Sequence, residues 1–245
     1  MNLWRESRTH PFVIGHRGAS AHAPENTLAA FRLAIEQGAD GIELDVKRCQ
    51  TGEVVVMHDA TVDRTTSGSG QVHKLSIDTL RSLDAGGEPT PLLSEAFELI
   101  ASAPGFLINI EITNYSTPRD GLEGEVVRLI KKHAIAERVL FSSFNHLLVR
   151  KLATLMPEIP RGLLYYKDMP LPMRNVWLSP LIKHEFRHPH HSMITADFVK
   201  TMRAAGRGVN AWTVNVPADI RRMSAYGVSG IIGDSPSTIR KTLGL

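Results

Sequence analysis

Short apolar, β-branched runs alternate along this chain with stretches in which apolar residues return every three or four positions. That is the order expected of βαβ units feeding one parallel sheet. The first run, residues 12–16, is followed by a helical pattern over 27–37, with Asn26 read as its N-cap and Gly38 as its stop. Strand patterns return at 41–46, 107–112, 139–142, 162–165, 208–213 and 230–233, and helical patterns at 94–102, 121–133, 146–156, 196–205, 217–225 and 236–243. A weaker eighth strand falls somewhere within 177–188. Eight strands close a (β/α)₈ TIM barrel, which takes about 250 residues. A doubly wound open sheet is the alternative for as long as the eighth strand is weak.

One run breaks the rhythm. Residues 54–57 begin too soon after Val46 for a parallel crossover, which needs about a dozen residues. An antiparallel hairpin is expected instead, rising above the barrel. With Thr51 and Gly52 as the two turn residues, Asp45 is expected opposite His58, so that a carboxylate meets an imidazole at the C-terminal mouth where barrel enzymes do their chemistry. A polar stretch from 60 to 91, with a short helical pattern ending near Leu80, reads as a small insertion over the mouth. Residues 1–245 are accordingly expected to form a single domain.

Composition narrows the class without naming it. The chain has 245 residues, 42% of them hydrophobic and 22% charged, and carries a formal charge of +3. Lys and Arg are scattered and not interleaved with aromatic residues, which argues against nucleic acid and gives weak support for an anionic small molecule. No apolar run approaches the roughly 20 residues of a membrane span, so stable membrane insertion is not expected. The opening residues lack the layout of a signal peptide, and the one cysteine, Cys49, leaves no partner for an internal disulfide; a cytoplasmic protein is expected.

Carboxylates and histidines at strand ends carry the candidate chemistry. Glu43 and Asp45 stand two apart on one strand and so share a face. Glu111 lies near the end of another apolar strand. Burying such charges unpaired is costly; either they form ion pairs or face outward, or the three converge into an oxygen-rich site suited to Mg²⁺ or Ca²⁺. Zinc has no Cys or His spacing to support it. His16 closes the first strand and is followed by Arg17; each alone reads as structural or as surface charge. Together with His58-Asp59, which ends the hairpin strand, they read as parts for phosphate ester cleavage, with a guanidinium to grip a phosphate oxygen and two imidazoles as base and acid.

The segments His16-Arg17-Gly18, Ala23-Pro24-Glu25-Asn26-Thr27, Glu43-Leu44-Asp45-Val46 and Met57-His58-Asp59 resemble, in order and spacing, those of glycerophosphodiester phosphodiesterases of the bacterial cytoplasmic type. Asp63-Arg64-Thr65-Thr66, Asn109-Ile110-Glu111-Ile112, Ser142-Ser143-Phe144-Asn145, Trp212-Thr213-Val214-Asn215 and Gly233-Asp234 extend the likeness over nearly the whole chain. The resemblance implies a (β/α)₈ barrel that hydrolyses glycerophosphodiesters to glycerol 3-phosphate and an alcohol with Mg²⁺ or Ca²⁺. It implies Glu43, Asp45 and Glu111 as metal ligands, His16 and His58 as the acid–base pair, and Arg17 as a phosphate ligand. It further implies attack by the glycerol 2-hydroxyl through a cyclic phosphate.

One position departs from the pattern. Where such proteins usually carry lysine two residues after the third carboxylate, this chain has Thr113. A nearby cation in its place, a different substrate, or weak activity would each answer the change, and Thr113→Lys is expected to raise turnover if the position acts directly on the phosphate. Cleavage of lysophospholipids is the alternative within the class, needing an apolar wall that Leu163, Tyr165, Phe186 and Trp212 could form. A phosphodiester- or partner-binding barrel without activity is the alternative outside it. Trp212 is read either as core or as pocket wall. The run His184, His188, His190, His191 lacks helical spacing and holds Pro189, so it is read as a loop and not a metal site.

Overall fold

The computed structural model describes residues 2–6, 8–115 and 117–245. Nine strands form one sheet: β1 (Phe12–His16), β2 (Gly41–Arg48), β3 (Val54–Val56), β4 (Leu107–Ile112), β5 (Val139–Ser143), β6 (Arg161–Tyr165), β7 (Phe186–Pro189), β8 (Gly208–Ala211) and β9 (Gly230–Gly233). Eight of them are parallel, and β1 pairs with both β2 and β9, so the sheet closes into a barrel. The open-sheet alternative is thereby excluded. The weak eighth strand is β7, at the end of the window expected for it. Helices α1 (Leu28–Glu36), α3 (Leu93–Ala101), α4 (Leu122–His133) and α5 (His146–Leu155) cover one flank. The other flank carries α7 (Ala196–Ala204), α8 (Pro217–Tyr226) and α9 (Pro236–Leu243). Between β6 and β7 the expected outer helix is reduced to one turn, α6 (Leu171–Arg174).

The barrel interior is graded from apolar to charged. Trp4, Phe12, Ile14, Leu107, Leu140, Phe186 and Ile232 pack together at the N-terminal end. Above them lie the buried Asn109, Ser142, His188 and Asn210, and at the C-terminal mouth Glu43, Asp45 and Glu111. Small residues on neighbouring strands make room for large ones: a Cβ on Gly162 would stand 2.4 Å from the His188 ring. Trp4 plugs the bottom, its indole N–H donating to the Arg138 carbonyl at 2.8 Å and its ring 5.4 Å from that of Phe12.

Two local expectations are corrected. The hairpin pairs Val46 with Val56 and Arg48 with Val54, and the Met57 N–H donates to the Asp45 carbonyl at 2.9 Å. Its loop has three residues, not two: Cys49 N–H donates to the Glu53 carbonyl, and Gln50, Thr51 and Gly52 lie between, with Gly52 at φ +109°. One extra loop residue slips the register by one, so Asp45 faces Met57 and not His58. The N-cap of α1 is Thr27, whose hydroxyl accepts from the Ala30 N–H at 3.1 Å. Asn26 sits just outside in the left-handed region, φ +58°, and spends its amide on Asp45.

Residues 60–91 form the excursion above the hairpin. They hold a short helix, α2 (Ile77–Ser82), and bury Val62, Val72 and Leu80 against Cys49, Val55 and Met57. Because Trp4 fills the bottom of the barrel and lies far along the axis from the mouth, Trp4→Ala is expected to cost about 3–5 kcal/mol of stability, the usual range for emptying an aromatic core site. Denaturant unfolding measures this; a loss below about 1 kcal/mol would mean that the plug collapses without it.

Candidate active site

Three carboxylates converge at the mouth. Glu43 and Asp45 project from β2 and Glu111 from β4, whose Cα pairs directly with that of Asp45. All three are buried, and one oxygen of each lies within 4.8 Å of the others. Burial first, and then the neighbouring carboxylates, push Glu43 well above the usual carboxylate range and Glu111 up to about 8. Such a set repels itself and offers only hard oxygen donors, so it fits a divalent cation of the Mg²⁺ or Ca²⁺ kind. Among the described residues no other group of three His, Cys, Asp or Glu comes together in this way. The His184–His191 run does not: His188 is sealed in the barrel beside Asn210, and the His190 and His191 rings lie against each other.

The turn after β1 brings positive charge to the cluster. Arg17 takes a left-handed φ of +55°, and the next residue must be small, because a Cβ on Gly18 would lie 2.7 Å from the backbone of Ala30 in α1. In that conformation the Arg17 N–H donates to Glu43 Oε2 at 3.1 Å, and its guanidinium donates to Glu25 at 2.7 Å. Arg17 Nε stands 3.4 Å from Asp45 Oδ2. Asn26 also holds Asp45, donating to Oδ2 at 3.0 Å and accepting from its N–H at 3.3 Å. Tyr115 donates its hydroxyl to Glu111 at 2.8 Å.

Each candidate histidine is held by its own aspartate. His16 Nδ1 lies 2.7 Å from Asp234, a carboxylate fixed further by Asn215 and Ser20. His58 Nδ1 lies 2.6 Å from Asp59. Arg64 then ties the second pair to the first turn, donating to Asp59 at 2.7 Å and to both oxygens of Glu25 at 2.8 and 2.7 Å. Burial works against ionisation of Glu25, but the bonds from Arg64 and the charge of Arg17 win and hold it near 2. An aspartate on Nδ1 orients the ring and leaves Nε2 free for proton transfer.

Thr113 is 2% exposed and donates its hydroxyl to the Val46 carbonyl at 2.8 Å. It is not bare of charge. Lys47, on the same face of β2 as Glu43 and Asp45, lays its ammonium on Thr113, 2.8 Å from the carbonyl and 2.9 Å from Oγ1. Burial lowers the Lys47 pKa, while Asp45 and Glu111 are close enough to oppose that shift. Trp212 follows β8; its N–H donates to the His188 carbonyl at 2.7 Å, and its ring packs on Phe144 and on the barrel-core cluster. Of the wall expected for a lipid chain, Leu163 and Tyr165 are buried under the outer segment and Phe186 lies at the barrel bottom; of the four, Trp212 alone lines an open cleft, beside Tyr166 and His190.

Sequence reasoning missed Lys47, Asn26, Tyr115, Asp234, Glu25 and Arg64 as site residues. Period two along β2 places Lys47 beside Asp45 and could have found it. Asp234 is 218 residues from His16, and only the closure of β9 onto β1 joins them. If the trio is a cation site, Mg²⁺ or Ca²⁺ raises the thermal unfolding midpoint, and Glu111→Gln abolishes the shift. Ligand at a hundredfold excess over Kd adds about 2.7 kcal/mol. Equal midpoints with and without metal would contradict it.

The model of the glycerophosphoryl diester phosphodiesterase family matches residues 16–238. The chain is similar to a glycerophosphodiester phosphodiesterase of Caldanaerobacter subterraneus subsp. tengcongensis, with 41% identity over 93% of this chain and 95% of the relative. It is similar to another from Bacillus altitudinis, with 34% identity over 91% and 94% of the two chains. A solved phosphodiesterase of Oleispira antarctica, in complex with the product sn-glycerol-3-phosphate, superposes with a TM-score of 0.87 at 31% identity, covering 96% of this chain and 98% of that one. The chain therefore belongs to the glycerophosphoryl diester phosphodiesterase family, and is a phosphoric diester hydrolase on a TIM barrel.

Proposed function

We propose that residues 1–245 act as one catalytic domain that hydrolyses glycerophosphodiesters to glycerol 3-phosphate and an alcohol. What carries the reading is the conjunction of a buried three-carboxylate cluster with two histidine–aspartate pairs at one barrel mouth. Glu43, Asp45 and Glu111 would hold Mg²⁺ or Ca²⁺, which when bound neutralises charge on the phosphoryl oxygens and activates an attacking hydroxyl. Arg17, braced by Glu25, grips a phosphoryl oxygen. One of His16 and His58 accepts the proton of the glycerol 2-hydroxyl as its oxygen attacks phosphorus, and the other gives a proton to the departing alcohol. The cyclic phosphate then opens to water with the two roles exchanged. A cytoplasmic location fits the single, buried, unpaired Cys49, and no helix among the described residues is long and apolar enough to cross a membrane.

Lys47 answers the departure at position 113. Its ammonium sits on Thr113 beside the carboxylates and supplies the positive charge that a lysine at 113 would otherwise bring. On this reading Thr113 does not speak for an inactive binding barrel. Thr113→Lys in the parent chain is now expected to lower turnover, because two ammonium groups would compete for one buried place. Lys47→Met is expected to cut kcat/KM by about 10²-fold, as removal of a preorganised donor does elsewhere. Adding Thr113→Lys to Lys47→Met is expected to recover part of the loss. A Lys47→Met enzyme with parental kcat/KM would remove Lys47 from the mechanism.

The direct test is enzymatic. Glycerol 3-phosphate release from glycerophosphocholine and glycerophosphoethanolamine is expected to need a divalent metal, to stop with EDTA, and to fall by at least about 10²-fold in His16→Ala and in His58→Ala. Release that survives both substitutions would overturn the assignment of the histidines. A folded, metal-loaded protein silent on both diesters would overturn the substrate class.

A further inference from the structure

A carboxylate has two oxygens, and each of the three acids at the mouth has already committed one of them. Glu43 Oε2 accepts from the Arg17 N–H at 3.1 Å. Asp45 Oδ2 accepts from the Asn26 amide at 3.0 Å, with Arg17 Nε 3.4 Å from the same oxygen. Glu111 Oε1 accepts from the Tyr115 hydroxyl at 2.8 Å. No described residue donates to the other three oxygens, Glu43 Oε1, Asp45 Oδ1 and Glu111 Oε2, and none of these is sealed from solvent. The cluster thus presents three single oxygens on side chains that are otherwise buried.

The number of free oxygens discriminates among hard cations. Mg²⁺ takes about six ligands in a near-ideal octahedron and keeps several waters, so three protein oxygens suffice and leave places for a substrate. Ca²⁺ takes roughly six to eight ligands and often fills its shell with carboxylates that give both oxygens. Here the second oxygen of each acid is spent on a donor. Drawing it onto the ion would break a charge-assisted hydrogen bond at Glu43, Asp45 or Glu111. At Asp45 it would also bring the ion toward the Arg17 guanidinium.

Of these three locks, the one on Glu111 hangs on a single side-chain hydroxyl. The lock on Glu43 is a backbone N–H, and Asn26 is tied to Asp45 twice. The Tyr115 hydroxyl is itself held from behind. It accepts from the Phe144 N–H at 3.2 Å and lies 3.4 Å from Ser143 Oγ, and its ring stands 6.1 Å from that of Phe144. A donor fixed in this way by the end of β5 keeps Glu111 Oε1 with little further loss of freedom when an ion arrives. We propose that Tyr115 restricts Glu111 to one free oxygen and so makes the site select Mg²⁺ over Ca²⁺. The proposal rests on the metal-site reading above and adds to it the choice of ion and the residue that makes the choice.

The test reads binding and not turnover. Mn²⁺ loses the sharp electron-spin-resonance signal of the free aqua ion when the protein binds it, and Mg²⁺ or Ca²⁺ is titrated in to displace it. The parent protein is expected to bind Mg²⁺ about tenfold more tightly than Ca²⁺, the scale of one hydrogen bond to a charged group. Tyr115→Phe keeps the ring against Phe144 and removes the hydroxyl, and should bring the two affinities to within about twofold of each other. Ca²⁺ bound by the parent as tightly as Mg²⁺ overturns the proposal and leaves the metal site standing. So does a Tyr115→Phe protein in which both affinities move together, because the hydroxyl then braces Glu111 without choosing the ion. Mn²⁺ binding that Glu111→Gln leaves untouched overturns the metal-site reading and the proposal with it. Crystals soaked in Ca²⁺ give a second readout. Both Glu111 oxygens are expected on the ion in Tyr115→Phe and one in the parent; the same number in both overturns the proposal.

Discussion

Three carboxylates held within 4.8 Å of one another, out of water, set the terms for the rest of this molecule. Left to themselves they repel, and burial adds to the cost of each charge. The surroundings answer with Arg17, Lys47, Asn26 and Tyr115, each bonded to or standing beside a member of the cluster. Those cations and donors ease the repulsion without ending it, since Glu43 and Glu111 remain raised. The residual field is what a divalent cation and, through it, a phosphate group would exploit.

The barrel makes this arrangement tolerable by separating two tasks along its axis. Its lower half is an apolar plug around Trp4, Phe12 and Phe186, which supplies burial. Its upper half gives up apolar contact for Asn109, Ser142, His188, Asn210 and then the carboxylates. Loops after the strands carry the candidate chemistry: the β1 turn presents Arg17, the hairpin presents His58, and the loop after β9 presents Asp234 to His16. Arg64 binds two of these loops together through Glu25 and Asp59, so the His58 ring and the Arg17 guanidinium share one brace.

Much of this was legible in one dimension because it follows from period and polarity. Alternation of strands and helices marked the barrel, and inward carboxylates on two apolar strands marked the cluster. What escaped depends on details that pattern does not encode. Asn26 has the chemistry of a cap, yet its left-handed backbone turns it toward Asp45 and leaves Thr27 to cap α1. Loop length in the hairpin is set by how Gln50, Thr51 and Gly52 turn, and one residue there moves His58 off Asp45. Thr113 looked like a lost charge because the ammonium that covers it comes from another strand.

Anomalous diffraction from crystals grown with Mn²⁺, a heavier stand-in for Mg²⁺, tests the central claim most directly. One strong peak bonded to Glu43, Asp45 and Glu111 together is the expected result. A peak elsewhere, or none at the mouth with the three carboxylates still buried side by side, would contradict it.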